Sequence, residues 1–479
     1  MRCIFDPPAE RPAAYSFTNR TPMLRLSRFA CLLLLLGLLA SCGEDINPNY
    51  QEEVAKPEFF HRSVKQLTDV IVHDIFSPPV ASRIYSYSSI AGYEAMAAGD
   101  PNLRSLAGQI PHLAPAPAPP VGTEIAFPLA AVAAQLKVGK SMIFSEPKMD
   151  EFKEKLYTEV REIGMPSEVF DASVAYGEQV ADHIIGWYAG DMYKQTRTFP
   201  KYSITDDESK WQPTPPDYMD GIEPSWMKIR PFTLDSASQF RPLPPTEYSL
   251  DEGSQWMQEV NEVYTAFTGV SEQESAERQA IAQFWDCNPY VSHTVGHLMF
   301  ATKKITPGGH WINISAIAAK KADADFSRTV ETYAMVSMAM YDAFISCWEE
   351  KYRSKLVRPE TFINRHIDQD WRPLLQTPPF PEHTSGHSVV SRACAVVLTD
   401  LYGDSFAFDD DSEEEYDLPT RSFPSFLAAS EEAAISRLYG GIHYRPAIEY
   451  GVVQGEAVGN HVLERIDTRS KITEERSAE

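Results

Sequence analysis

The stretch FSRTVETYAMVSMAMYDAFISCWEEK, residues 326–351, carries apolar side chains at helical spacing along its whole length and reads as one long helix ending at Lys351. The same periodicity recurs upstream over Val64–Phe76, Val80–Ala98, Phe127–Phe144, Lys148–Ile163, Pro166–Tyr188, Leu250–Phe267, Ser271–Trp285 and Trp311–Ala322. Downstream it recurs over Ser388–Leu401, Ser430–Tyr439 and Ala447–Ile466. No strand-like alternation of useful length and no internal repeat breaks the series. The expected class is all-α, a large helical bundle with one core. Residues 190–248 depart from it with nine prolines and little periodicity. So long an irregular stretch is expected to be a functional or covering insertion.

Composition bounds what such a bundle can do. The 479 residues are 43% apolar and 11% aromatic, which excludes global disorder, and 24 glycines without a three-residue period exclude a collagen-like fibre. Forty-three Lys and Arg against 67 Asp and Glu give a net charge of −24, which repels a phosphate backbone and excludes nucleic acid as a general partner. A small anion remains compatible, because it needs only a local cluster of cations.

From Met23 the chain reads MLRLSRFACLLLLLGLLASC, in which Arg25 and Arg28 precede an apolar run too short for a stable membrane span. Leu-Ala-Ser-Cys resembles a bacterial lipobox, with Cys42 lipidated and Met23 the start. The expected organisation is an extension and signal peptide over 1–42, a polar tether over 43–61, a helical domain over 62–466 and a polar tail over 467–479. The chain is then expected at the bacterial cell envelope, outer membrane or cell surface, held by lipid alone. Cleavage before Cys42 removes five basic and two acidic residues and leaves a charge of −27. Of the remaining thiols, Cys287, Cys347 and Cys394 are too widely spaced for a zinc motif or a disulfide framework, though one pair is possible.

Three short segments carry the chemistry. Lys351 is followed after six residues by Arg358-Pro359; Ser385-Gly386-His387 lies in PPFPEHTSGHS; and Ser436-Arg437 precedes His443 by five residues in SRLYGGIHYRP. Arg358 and Arg437 can each give paired hydrogen bonds to an oxyanion, and Lys351 adds a point charge. Ser385 offers a hydroxyl and Gly386 an approachable amide at a helix start, where free N–H groups and the dipole favour an anion. Of the two histidines, one can bond to the central atom and the other can move a proton. Singly, each piece has an ordinary structural explanation as a helix-end cation, a capping serine or a packed histidine. The conjunction in this order is what carries information.

Lys-x6-Arg-Pro, Ser-Gly-His and Ser-Arg-x5-His together resemble the signature shared by vanadium-dependent haloperoxidases and type 2 phosphatidic acid phosphatases. SPPVASRIYSYSSIAGYEAM, PGGHW and AMVSMAMYDAFISCWEEKY resemble the longer, chloroperoxidase-like haloperoxidase branch. The resemblance implies the helical fold of that superfamily, with the site motifs within 348–449. It makes vanadate the cofactor, His443 its covalent ligand, and Lys351, Arg358, Ser385, Gly386 and Arg437 the groups holding its oxygens. His387 would be the acid–base residue, Lys351 would polarise the oxygen that halide attacks, and Trp348 and Phe380 would line the halide pocket. Hydrogen peroxide, halide and an organic acceptor would be the partners.

The same donors would bind phosphate in a phosphatase, with His443 as nucleophile and His387 protonating the leaving alcohol. Trp348 and Phe380 could equally be core packing. One position departs from the signature: the Asp expected four residues after the last histidine is Ala447. Glu449 or a backbone carbonyl is the expected substitute for orienting the ring. Without one, a surface lipoprotein that keeps the anion site but does not catalyse remains open. Asp286 and Asn288, in FWDCNP, resemble a place where the family supplies a polar partner to the arginines.

Overall fold

The long helix at 326–354 is enclosed by protein on nearly every side, its buried Glu331, Asp342, Glu350 and Lys351 included, and it sets the arrangement of the rest. In the computed structural model, residues 45–295 and 298–469 are described, and those from 47 onward form one unit. Cys42, the signal peptide and residues 470–479 lie outside the described residues.

The chain begins with α1 (Tyr50–Val54) and α2 (Glu58–His73), then α3 (Pro78–Ala97), α4 (Phe127–Lys140), α5 (Glu146–Glu162) and α6 (Ser167–Tyr188). A single turn, α7 (Tyr193–Thr196), leads into the irregular segment, which ends at α8 (Gln255–Tyr264) and α9 (Glu272–Phe284). There follow α10 (Pro307–Lys321), α11 (Phe326–Ser354), α12 (Pro359–His366), α13 (Gly386–Tyr402), α14 (Phe426–Tyr439) and α15 (Arg445–Arg465). Asp325 caps α11 by accepting from the Arg328 N–H, and Lys355 ends it in the left-handed region at φ 55°. Between those caps nearly every side chain is buried, with α3, α10, α13 and α15 packed around it.

Several expectations are corrected. The tether is already structured, because α1 buries Tyr50 and Val54 and α2 starts at Glu58. The domain also runs past 466: Thr468 donates to Glu331 at 2.6 Å, and its carbonyl accepts from the Arg104 N–H at 2.9 Å. Two antiparallel hairpins exist, β1 (Val291–Val295) with β2 (Leu298–Thr302) and β3 (Phe408–Asp410) with β4 (Arg421–Phe423), too short to leave an alternating pattern. Helix α12 escaped sequence reading because only Phe362 and Ile363 mark its apolar face. Helix α10 starts a turn before Trp311, because Thr306 caps it and Pro307 sits at its first position, where no N–H is needed.

The proline-rich segment does cover the core. Phe232 and Thr233 donate their N–H groups to the buried Asp342 carboxylate of α11 at 2.8 and 2.7 Å. Ile222 donates to the Pro379 carbonyl at 3.0 Å and accepts from the Trp348 indole at 3.3 Å. Trp211 donates to the Lys355 carbonyl at 2.7 Å. The segment is thus a strap clipped along α11 and the loops that follow it.

Close approach of α13 and α15 depends on glycine. A Cβ on Gly455 would lie 2.2 Å from the Val389 carbonyl oxygen, whereas one on Gly186 of α6 would meet nothing within 4 Å. Gly455→Ala is therefore expected to destabilise the protein by about 2–3 kcal/mol in urea unfolding, as overpacking does. Gly186→Ala, which only improves helix propensity, should stabilise it by up to about 1 kcal/mol.

Candidate active site

Five helix ends converge where the motif residues lie. Lys351 occupies the last turn of α11, Arg358 the N-cap of α12, Ser385 the N-cap of α13 and Arg437 the last turn of α14. His443 follows a turn that needs Gly441 at φ 76°, a conformation other residues rarely adopt, and precedes α15. Helix α13 begins at Gly386, so the Gly386 and His387 amides belong to its first turn and the positive end of its dipole faces the same place.

Lys351, Arg358 and Arg437 are essentially inaccessible to water. The fold orients them with backbone carbonyls. Lys351 donates to Pro381 and Glu382 carbonyls, each at 3.0 Å. Arg358 donates to Phe380 at 3.0 Å and Ile442 at 2.7 Å, and Arg437 to Trp285 at 2.7 Å. Burial pulls the Lys351 ammonium down to about 7 and both guanidinium groups to about 10. These are the shifts of cations held without enough negative charge around them.

The partner of His443 is Glu382. Its Oε1 lies 2.8 Å from His443 Nδ1 and also accepts the Tyr444 N–H at 2.9 Å. On the other side of the ring, Arg358 Nη1 is 3.1 Å from Nε2. A guanidinium can only donate, so Nε2 is the acceptor nitrogen and Nδ1 carries the proton given to Glu382. Burial, with Arg358 and Lys351 nearby, keeps His443 well below the usual histidine range and hence neutral. Burial pushes Glu382 up to about 7 against the pull of Arg358 and Lys351.

The expected substitutes for the missing aspartate are thereby corrected. Glu449 is exposed and faces Arg445 at 3.8 Å, and the Ala447 carbonyl accepts the Ser385 N–H at 2.9 Å instead of reaching the ring. Sequence reading missed Glu382, although an acid inside the apolar, proline-rich PPFPEHTSGH was a usable signal.

His387 is also buried and held well below the usual histidine range, by burial first and Arg437 next. Its ring bonds to the Trp285 carbonyl, while its Nε2 has no protein partner. Gly386, His387, Arg437 and His443 line a narrow cleft with a cavity volume of about 30 Å³, together with Trp348 and Phe380. Those two rings touch at a centroid distance of 5.1 Å. Lys351 Nζ lies 4.9 Å, and the Arg358 guanidinium carbon 5.0 Å, from the Phe380 ring centroid. Asp286 and Asn288 line the same cleft; Asp286 pairs with Lys304 at 2.9 Å and favours the Arg437 charge from a distance. Cys287, Cys347 and Cys394 are buried free thiols, so no pair among them forms.

This site fits a small oxyanion such as vanadate. Buried Arg358 Nη2 and His387 Nε2 lack hydrogen-bond partners, Lys351 and Arg437 are buried cations of the same site, and His443 presents an unprotonated Nε2 that accepts from Arg358. An oxyanion with several acceptor oxygens would satisfy all of these at once.

Comparison with known proteins agrees with this geometry. Residues 331–471 match a family model described as the VCPO second helical-bundle domain. A crystal structure described as the first bacterial vanadium-dependent iodoperoxidase is similar at 52% identity and a TM-score of 0.81, over 87% of this chain and 98% of that one. A holo-type bacterial vanadium-dependent chloroperoxidase shares the fold at 16% identity and a TM-score of 0.64, over 89% of this chain and 98% of that one. The apo-type chloroperoxidase gives 17% identity and a TM-score of 0.61, over 81% and 94%. No curated protein matches significantly in sequence.

Glu382→Ala is expected to weaken vanadate binding about 10–100-fold, the usual effect of losing the group that orients a ligating histidine. Glu449→Ala should leave it unchanged. Titrating each variant with orthovanadate calorimetrically separates the two.

Proposed function

The chain belongs to the vanadium-dependent haloperoxidases, and from that premise we propose that it is an iodide-oxidising enzyme of the family, with vanadate held at His443. The observation that carries this reading is the buried cluster of Lys351, Arg358 and Arg437 around the unprotonated Nε2 of His443, which accepts from Arg358. Hydrogen peroxide and halide are the substrates: halide, peroxide and one proton give hypohalous acid and water.

Vanadate, when bound, supplies a Lewis-acid centre that activates peroxide without changing oxidation state. His443 Nε2 would be its protein ligand, kept in the correct tautomer by Nδ1–H donation to Glu382. Arg358, Arg437, Lys351, the Ser385 hydroxyl and the Gly386 amide would hold its oxygens with fixed positive charge in a dry setting. His387 Nε2, neutral and unpartnered, is placed to take a proton from incoming peroxide and return it to a departing oxygen. Trp348 and Phe380 exclude water from the wall of the cleft.

Iodide suits that wall. It is large, weakly hydrated and the most easily oxidised of the three common halides, so it loses least on leaving water for an aromatic surface backed by cations. The close relative described as an iodoperoxidase supports the same halide. Purified protein with orthovanadate and peroxide is expected to oxidise iodide faster than bromide, and His443→Ala should lower the rate by at least about 100-fold, as loss of an essential catalytic group does. Vanadate-inhibited hydrolysis of a phosphate ester without halide oxidation would refute the assignment.

We also propose that Cys42 is lipidated and anchors the enzyme to the bacterial envelope. Among the described residues no helix is long and apolar enough to cross a membrane, and two acyl chains suffice for stable attachment. Cys42→Ser is expected to move the protein from the membrane to the soluble fraction and to abolish palmitate labelling.

A further inference from the structure

Behind the wall of the cleft lies a buried set of donors that the oxidation chemistry does not use. Cys287 Sγ is 3.4 Å from His310 Nδ1 and 3.9 Å from Glu413 Oε1, and Nδ1 is 3.2 Å from that same oxygen. Cys287, His310 and Glu413 are all essentially inaccessible to water. They come from three separate parts of the chain: the loop after α9, the first turns of α10, and the loop after β3.

We propose that these three residues form a second, structural metal site that takes one zinc ion. Points equidistant from three atoms so spaced begin about 2.0 Å from each, so an ion in or just off their plane meets the roughly 2.0–2.3 Å of zinc bonds to nitrogen, oxygen and thiolate sulfur. Thiolate, imidazole and carboxylate together suit zinc better than magnesium or calcium, which take oxygen. Two further observations point to a ligand. Glu413 Oε2 is buried without a hydrogen-bond partner, so the carboxylate has a second oxygen free to complete a four-donor set. His310 Nε2 lies 2.8 Å from Asp410 Oδ2, the arrangement in which a carboxylate fixes the tautomer of a metal-binding histidine. On binding, the Cys287 S–H proton and the proton that His310 Nδ1 holds toward Glu413 both leave to solvent, so no oxidant or reductant is involved.

The ion would brace the wall on which the anion site leans. Trp285, two residues from Cys287, stacks on the His310 ring at 4.5 Å between centroids, and its carbonyl orients Arg437. Cys287 itself faces the cleft.

The full-length protein purified from zinc-supplemented cells, analysed by plasma mass spectrometry, should contain about one zinc per chain. Cys287→Ser and Glu413→Gln should each lower that content at least about tenfold. Chelator-stripped wild-type protein reloaded with Co(II) should show a thiolate-to-cobalt charge-transfer band, which decides the matter even if the variants fail to fold. Wild-type protein that holds no stoichiometric zinc and gives no such band would leave only a hydrogen-bonded network around His310 and overturn the proposal. Stoichiometric zinc persisting in folded Cys287→Ser would overturn it too, by placing the metal elsewhere.

Discussion

Burying Lys351, Arg358 and Arg437 together is costly, and much of the surrounding structure follows from it. Isolated cations in a protein interior cost several kcal/mol each unless compensated. Compensation comes from aimed carbonyls of Pro381, Phe380, Ile442 and Trp285, from the carboxylates of Glu382 and, further off, Asp286, and from the oxyanion the site is shaped to receive. A site so organised holds its donors in place before the anion arrives, so little reorganisation accompanies binding.

The scaffold supplies rigidity where the chemistry needs it. Helix α11 is enclosed along almost its whole length, and the strap clipped to Asp342, Trp348 and Lys355 closes the end from which Lys351 projects. Glycine at 455 lets α13, whose first turn carries Gly386 and His387, settle against α15. The net charge of the chain is strongly negative, yet the site is positive. Low dielectric around the cluster makes its local field count for more than the distant surface charge.

Legibility varied with the range of the interaction. The long helices could be read because their apolar periodicity is local, as at Val330–Ala343 of α11. The short helix α12 and the two hairpins could not, since three to eight residues leave no periodic signal. The segment 190–248 showed its lack of periodicity and its prolines, but its role as a strap depends on hydrogen bonds to residues more than a hundred positions away.

By itself the sequence determined the helical class and the inventory of the anion site, because helix periodicity and the Lys-Arg, Ser-Gly-His and Arg-His motifs are properties of neighbouring residues. It also exposed the loss of aspartate at Ala447. Tertiary structure alone decided what replaced it: Glu382 meets His443 across 61 positions of chain, and nothing local to either residue specifies that meeting. The grouping of Cys287, His310 and Glu413 has the same origin, with members up to 126 positions apart. Side chains so far apart in sequence become neighbours only when helix packing fixes the path between them, and packing is a property of the whole core.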